Sequence, residues 1–340
     1  MSLLRKILYP FSILYGEITS ARNNFYNKGI LKSTSFDIPI IVVGNLSVGG
    51  TGKTPQVEYL VRLLQETYKV AILSRGYKRS TKGFIIADTK TLVSDIGDEP
   101  MQYYSKFANV IVAVDADRVH GITELSKLDN SPDVILLDDA YQHRKVEAGL
   151  NILLTSYGNL YIDDKMLPSG NLREKIEGAN RAQIIVVTKC PSSLNEQEQF
   201  EITKNLKVEL DQTVFFSAIK YGEEIVGKDI RIPINELSNF EIVLVTGIAN
   251  TEPLTTFLDE KNSTYHHVKY ADHYNFTEKD YVKINKVYSK VKTDKKLILT
   301  TEKDYVRSFT GKDNFYYLSI ETEFIDHRED FNKLIIKYVE

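Results

Sequence analysis

The chain has 340 residues, 42% apolar and 26% charged, with one cysteine, Cys190. That composition excludes a disordered chain, a collagen and a coiled-coil rod. The lone cysteine excludes an intrachain disulfide and a Cys-rich zinc site, and fits a reducing compartment. A net charge of -3, from 43 basic and 46 acidic residues, argues against a nucleic-acid binder, which needs a dominant basic field. There is no apolar run of ~18 residues, so no transmembrane helix is expected, and the length predicts about two domains.

The first 32 residues differ from the rest. Leu3, Leu4, Ile7, Leu8, Phe11, Ile13, Leu14 and Ile18 recur at helical spacing, with Pro10 interrupting. Arg5, Lys6, Arg22, Lys28 and Lys32 against Glu17 give this segment a net +4, so the remaining 308 residues carry -7. No small-residue cleavage site follows the apolar stretch, which argues against a signal peptide. Two readings remain open here: a helix packed on the core, or a basic amphipathic helix lying in a membrane interface.

Beyond it, short β-rich apolar runs alternate with helical stretches. They are Ile38–Val43, Val70–Leu73, Val110–Val114, Val134–Leu137, Ile152–Leu154, Ile184–Val187 and Val214–Phe216. Most are continuously apolar, as strands buried on both faces must be, and the alternation predicts a doubly wound, mostly parallel α/β sheet. Residues 217–238 are polar and hold Gly222, Gly227 and Pro233, so a linker is expected there. A second α/β unit begins at Ile242–Val245 and includes Leu297–Leu299 and Tyr316–Leu318. The expected organisation is an N-terminal helical segment (1–32), a nucleotide-binding core (33–216), the linker (217–238) and a smaller α/β domain (239–340).

The strongest local signal is the run Ile40 to Pro55. An apolar strand enters a glycine-rich turn containing Ser47, Val48, Gly49, Gly50, Thr51 and Gly52, then Lys53-Thr54, then a helical pattern of Val57, Leu60, Val61 and Leu64. Glycines let successive backbone N–H groups turn towards phosphate oxygens, and the following helix adds its dipole. Lys53 supplies a point charge at the β/γ-phosphates and the Thr54 hydroxyl a ligand for Mg²⁺. The strict phosphate-loop pattern wants glycine where Ser47 stands. Val134 to Leu137 then runs into Asp138-Asp139, placing two carboxylates at a strand's C-terminal end, where such sheets bind ligands and a nucleotide-bound metal needs them.

These motifs together resemble one family. The run Gly44 to Pro55 closely resembles the phosphate loop of the tetraacyldisaccharide 4′-kinases, the lipid A kinases of Gram-negative bacteria, which also lack glycine at the position of Ser47. Further matches follow in family order: Ser74 to Tyr77, Gly97-Asp98-Glu99-Pro100, Asp117-Arg118 with Gly121, Leu137 to Arg144, Leu167 to Glu174, Thr246 to Asn250, Asp272-His273 and Thr300 to Asp304. Ala140-Tyr141 replaces the usual Gly-Phe, and Tyr274 stands where a second histidine is common. The resemblance implies a P-loop fold with a second, smaller domain that closes over ATP. It implies transfer of the γ-phosphoryl group to the 4′-hydroxyl of a lipid A disaccharide 1-phosphate precursor. It also implies a monotopic protein on the cytoplasmic face of the inner membrane, held on the anionic surface by residues 1–32; a monomer is expected.

Carried over residue by residue, the resemblance makes Asp98 the candidate base and His273 its partner, with Lys53 and Asp139 also catalytic. Thr54 and one or both of Asp138 and Asp139 would hold Mg²⁺. Tyr77, Arg118, Arg173 and Glu174 fall near the substrate or its 1-phosphate, where an arginine fork suits phosphate. From residues alone, Gly-Asp-Glu-Pro reads as a helix start and His273 as a loop histidine. Tyr141, His143 and Arg144 are candidates either to support the metal site or to pack. A P-loop regulatory or metal-insertion GTPase is the alternative. It needs a guanine-selective Asn-Lys-x-Asp loop, with which Thr188-Lys189-Cys190-Pro191 shares only the lysine. A kinase for a soluble sugar or nucleotide is a second alternative, and would have no use for residues 1–32.

Overall fold

The computed structural model describes Arg5 and residues 7–340. Leu3, Leu4 and Lys6, part of the predicted N-terminal pattern, lie outside the described residues. The chain forms two compact units. The first comprises residues up to Ile219 together with Thr322–Glu340, and the second is Lys220–Glu321.

The sheet of the first unit is built from β1 (Ile40–Asn45), β2 (Val70–Ser74), β3 (Ile85–Ile86), β4 (Ile111–Val114), β5 (Val134–Asp138), β6 (Leu150–Ser156), β7 (Ile184–Thr188) and the start of β8 (Thr213–Val226). Their order is β8-β7-β6-β1-β5-β2-β4-β3, parallel throughout except for β3. Every predicted strand of this half is present. Their continuous apolarity has a geometric cause. Ile40 and Val42 enter one buried cluster while Ile41 and Val43 enter another, so both faces of the sheet are covered.

The helices supply that cover. The second cluster takes Val57, Leu60, Val61 and Leu64 of α2 (Lys53–Leu64), and Phe331, Ile335 and Val339 of the C-terminal helix (Arg328–Val339). That last helix corrects the expected boundary. Residues 322–340 belong to the first unit and not to the smaller domain, because this apolar face finishes the first unit's core. The predicted linker 217–238 is also structured. It holds the second half of β8 and β9 (Arg231–Pro233), paired antiparallel, with Ile225, Ile232 and Leu237 buried.

The second unit contains β10 (Glu241–Thr246), β11 (Thr264–Lys269), β12 (Lys296–Thr301) and β13 (Phe315–Phe324) in the order β11-β10-β12-β13-β8. It repeats the two-faced logic: Ile242 and Leu244 enter one cluster, Val243 and Val245 the other.

Helix α1 (Tyr9–Asn27) carries Pro10 in its first turn, where a missing N–H costs nothing, so Pro10 starts this helix and does not break it. Its buried residues are Ser12 and Gly16, whereas Phe11, Ile13, Leu14 and Ile18 are exposed. Polar ties hold the small-residue side down. The Ser169 N–H donates to Ser12 Oγ at 2.9 Å, and the Tyr15 hydroxyl donates to the Arg173 carbonyl at 3.0 Å. The two readings of this segment are therefore not exclusive: the helix is packed, yet its large apolar residues face outward.

Candidate active site

The phosphate loop leaves β1 at the centre of the sheet, between β5 and β6. Gly44 is required by close approach, since a Cβ there would lie 2.6 Å from Tyr141 Cβ. Gly52 caps α2 with φ +83°, a left-handed conformation that favours glycine. The loop is tied from inside by Asn45, whose side-chain amide donates to Thr51 Oγ1 at 2.9 Å. It is tied from outside by the segment 171–173: the Val48 N–H donates to the Asn171 carbonyl at 2.8 Å, and the Arg173 N–H to the Leu46 carbonyl at 2.7 Å. Ser47 pairs with Leu172 in the same bridge, a role in which its side chain need not be glycine.

Register places Asp138 beside Val43, at the end of β5 next to the loop. Its carboxyl is almost fully buried and pushed up to about 7, first by burial and then by Glu99 and Asp139. Asp139 is also screened from water, which alone would raise it. Lys53 and Arg173 outweigh that and hold it below the usual carboxylate range. The Lys53 ammonium lies 3.7 Å from Asp139, and Arg173 donates to both Asp139 oxygens at 2.9 and 3.1 Å. So the paired carboxylates differ: Asp139 is matched by cations, whereas Asp138 sits in excess negative charge. A divalent cation answers that excess. No group of three or more His, Cys, Asp or Glu residues able to hold a metal occurs among the described residues. A Mg²⁺ held by one or two carboxylates, a hydroxyl and phosphate oxygens needs none, and the oxygen donors Asp138 and Thr54 fit it.

Two residues expected near the substrate are buried and hydrogen-bonded within the protein. Arg118 is only 2% exposed and donates to the carbonyls of Asp115 at 3.1 Å and Ala116 at 3.3 Å. Burial lowers it to about 10. It braces the loop that follows β4, reaches the Asp138 carbonyl at 3.5 Å and is not a surface salt bridge. Glu174 is also 2% exposed and accepts from Asn23 at 2.7 Å, Arg181 at 2.8 Å and Gln142 at 3.1 Å. The Gln142 amide also donates to the Asn45 carbonyl at 2.8 Å, linking α1 through Glu174 to the phosphate loop. Nothing local in the sequence signals this long-range chain. Tyr77 is exposed, with the Lys78 ammonium 5.6 Å over its ring.

Asp98 opens helix α3 (Asp98–Lys106) and is half-buried, as the Gly-Asp-Glu-Pro start predicts. Tyr141 is buried and donates to the Gly178 carbonyl at 2.8 Å, a packing role. Burial, reinforced by Arg118, lowers His143 to about 4, so it is neutral near pH 7. Residues missed from the sequence include Glu99, which acts on Asp138, and Thr188 and Lys189, which touch the loop.

In the second unit, His273 follows β11 with φ +54°. Its N–H donates to the Gly247 carbonyl at 3.0 Å, while the Gly247 N–H donates to the buried Asp304 carboxylate at 2.8 Å. Arg307 donates to Asp304 at 3.2 Å and to the Tyr274 carbonyl at 3.1 Å. The Thr-Thr-Glu-Lys-Asp motif thus fixes the turn that carries His273.

A sequence profile described as Tetraacyldisaccharide-1-P 4′-kinase matches residues 4–340. The chain is 53% identical to the tetraacyldisaccharide 4′-kinase of Flavobacterium johnsoniae, covering 100% of this chain and 98% of that protein. It is 43% identical to that of Bacteroides thetaiotaomicron, covering 99% and 93% respectively. Among solved structures it resembles the "apo" form of LpxK from Aquifex aeolicus in complex with ATP. The TM-score is 0.79 at 32% identity, covering 99% of this chain and 100% of that one.

Proposed function

The chain belongs to the tetraacyldisaccharide 4′-kinase family, and from that premise we infer how its residues carry the reaction. It is an ATP-dependent kinase that phosphorylates the 4′-hydroxyl of a tetraacyldisaccharide 1-phosphate. The observation that carries this reading is the convergence of the phosphate loop, Lys53 and the Asp138-Asp139 pair at adjacent strand ends, in a chain matched along its length by kinases of one substrate. The GTPase alternative has no support.

Phosphoryl transfer is largely positioning and charge neutralisation. Loop N–H groups and Lys53 hold the β/γ-phosphates. Asp139, ion-paired with Lys53, aims that ammonium. Asp138 and Thr54 would hold Mg²⁺, which when bound offsets charge on the phosphate oxygens. The unequal environments of the carboxylates favour Asp138 as the direct ligand, because Asp139 is already satisfied by Arg173 and Lys53. Arg173 stands at the edge of this set and Tyr77 is exposed to meet nucleotide or lipid.

A sugar hydroxyl is a poor nucleophile, so a carboxylate should take its proton. We assign that role to Asp98, from its place in the family motif, with His273 orienting or tuning it and so making turnover depend on the second unit. Asp98→Ala should keep ATP binding and lower kcat by about 10²–10⁴-fold. Unchanged turnover would require another base.

We propose peripheral attachment to the cytoplasmic face of the inner membrane, a reading that α1 supports. Its outward apolar residues and the segment's net positive charge suit an anionic bilayer surface, and no described helix is long and apolar enough to cross one. The deciding assay offers labelled ATP with either a tetraacyldisaccharide 1-phosphate or a panel of soluble sugars. Transfer to soluble sugars alone would overturn the substrate.

A further inference from the structure

A phosphate loop that aims its N–H groups inward must turn carbonyls outward, and those carbonyls need donors. Two come from the end of β7. The Thr188 hydroxyl is buried and is shared between the Thr51 carbonyl at 2.8 Å and the Thr155 carbonyl at 3.2 Å. The Lys189 ammonium donates to the Gly50 carbonyl at 2.5 Å.

The backbone delivering these groups is held on both sides. Thr188 is in register with Ser156 of β6, and the Cys190 N–H donates to the Ser217 carbonyl at 2.9 Å. Between them Lys189 adopts φ +58°, a costly conformation for a side chain with a Cβ, and this turn brings its side chain back over the loop. Partial screening from water, and then the charge of Lys53, hold the ammonium of this largely exposed side chain below its ordinary range. Two ammonium groups thus share one small region, an arrangement that a polyanion relieves. An ammonium has three donors, and the Gly50 carbonyl uses one.

We propose that Thr188 and Lys189 form a strap that presets the phosphate loop. In it Lys189 is a positioning residue that also places a second positive charge at the polyphosphate. The segment whose lysine echoed a guanine-reading loop therefore serves the phosphates and not the base. The proposal rests on the phosphate-loop reading above.

The test is steady-state kinetics of the full chain with ATP and the lipid acceptor, and with inorganic tripolyphosphate as a base-free competitor. Lys189→Met should raise both the KM for ATP and the inhibition constant of tripolyphosphate about tenfold, as loss of one charge-assisted hydrogen bond predicts. It should change kcat less than about threefold and leave the acceptor KM unchanged. Lys189→Arg should restore both constants, because it keeps charge and donor. Thr188→Val, nearly isosteric, should move the same two constants in the same direction.

Unchanged constants in Lys189→Met and Thr188→Val overturn the strap. So does a loss of preference for ATP over GTP with tripolyphosphate inhibition intact, since Lys189 would then read the base. Lys53→Ala run alongside separates the two claims. If that variant keeps turnover, the phosphate-loop reading itself fails; if it is dead while Lys189→Met is normal, only the strap fails.

Discussion

Helices α1 and α2 belong to the same unit and use their apolar residues in opposite ways. In α2, Val57, Leu60, Val61 and Leu64 are fully buried, and the polar end of the helix carries Lys53 and Thr54. In α1 the buried positions are Ser12 and Gly16, and Phe11, Leu14 and Ile18 point away from the core. A helix that hides serine and glycine while showing leucine and phenylalanine gains nothing from water by doing so. Its outer apolar face is left exposed, and its inner face is held by hydrogen bonds to the Leu167–Glu174 segment and the Gln142 region. Periodicity alone cannot separate these helices, because both repeat apolar residues at the same spacing. What separates them is which side the protein covers.

Substitutions can break this contrast. The largest effect is expected at the chemical end of α2, where Lys53→Ala should lower kcat by at least about 10³-fold through lost stabilisation of the transferring phosphoryl group. Near-normal turnover in a rate assay would sink the phosphate-loop reading. Next comes the packed face: Leu60→Ala should cost about 2–5 kcal/mol in denaturant unfolding, as cavities in covered cores do. Leu14→Ala on α1 should cost no more than about 0.5 kcal/mol in the same experiment. Replacing Phe11, Leu14 and Ile18 together by serine should instead release the protein from anionic vesicles in flotation, with the melt unchanged. If those serines unfold the chain and leave vesicle binding intact, the two helices are alike after all. Such point variants are cleaner than deleting residues 1–30, which would also remove Asn23 from Glu174 and Tyr15 from the Arg173 carbonyl.

A further effect concerns pH. Asp138 is raised from an ordinary 3.8 to about 7 in the folded chain. A raised carboxyl favours the fold fully below its unfolded value, and that contribution is lost as pH rises through the folded one. Without divalent cations, wild type should therefore lose stability relative to Asp138→Asn between about pH 4 and pH 7, by a few degrees of Tm. Mg²⁺ should narrow the difference for wild type alone. A gap that does not change across that range would remove the argument for excess charge at Asp138.

Much of this was legible in the residues. Continuous apolar runs such as Val134 to Leu137 can only be strands covered on both faces, and the glycine-rich turn before Lys53-Thr54 announced its chemistry. Arg118 and Glu174 were not legible. An arginine beside a turn looks the same whether it faces solvent or carbonyls, and only the fold brings Asp115 and Ala116 to it. Thr188 and Lys189 were passed over for a related reason: a short motif names residue types, not the loop that their donors reach. The end of the first unit was hidden too, because Phe331, Ile335 and Val339 could cover any sheet. Phe331 meets the rings of Tyr59 and Phe215, 272 and 116 positions earlier in the chain.

That last connection has a consequence during synthesis. The Tyr338 hydroxyl accepts from the Ile40 N–H at 3.1 Å and donates to the Ile40 carbonyl at 3.0 Å, joining the first strand of the ATP-binding sheet to a residue 298 positions later. A ribosome adding about 5–20 residues per second takes some 15–60 seconds between the two. Throughout that interval one face of the sheet lacks its last helix, while the inserted second unit emerges with its own core. The nascent chain thus spends most of its birth with an uncovered apolar surface. A message truncated before the codon for Arg328 would yield a protein with its phosphate loop intact and its sheet unfinished.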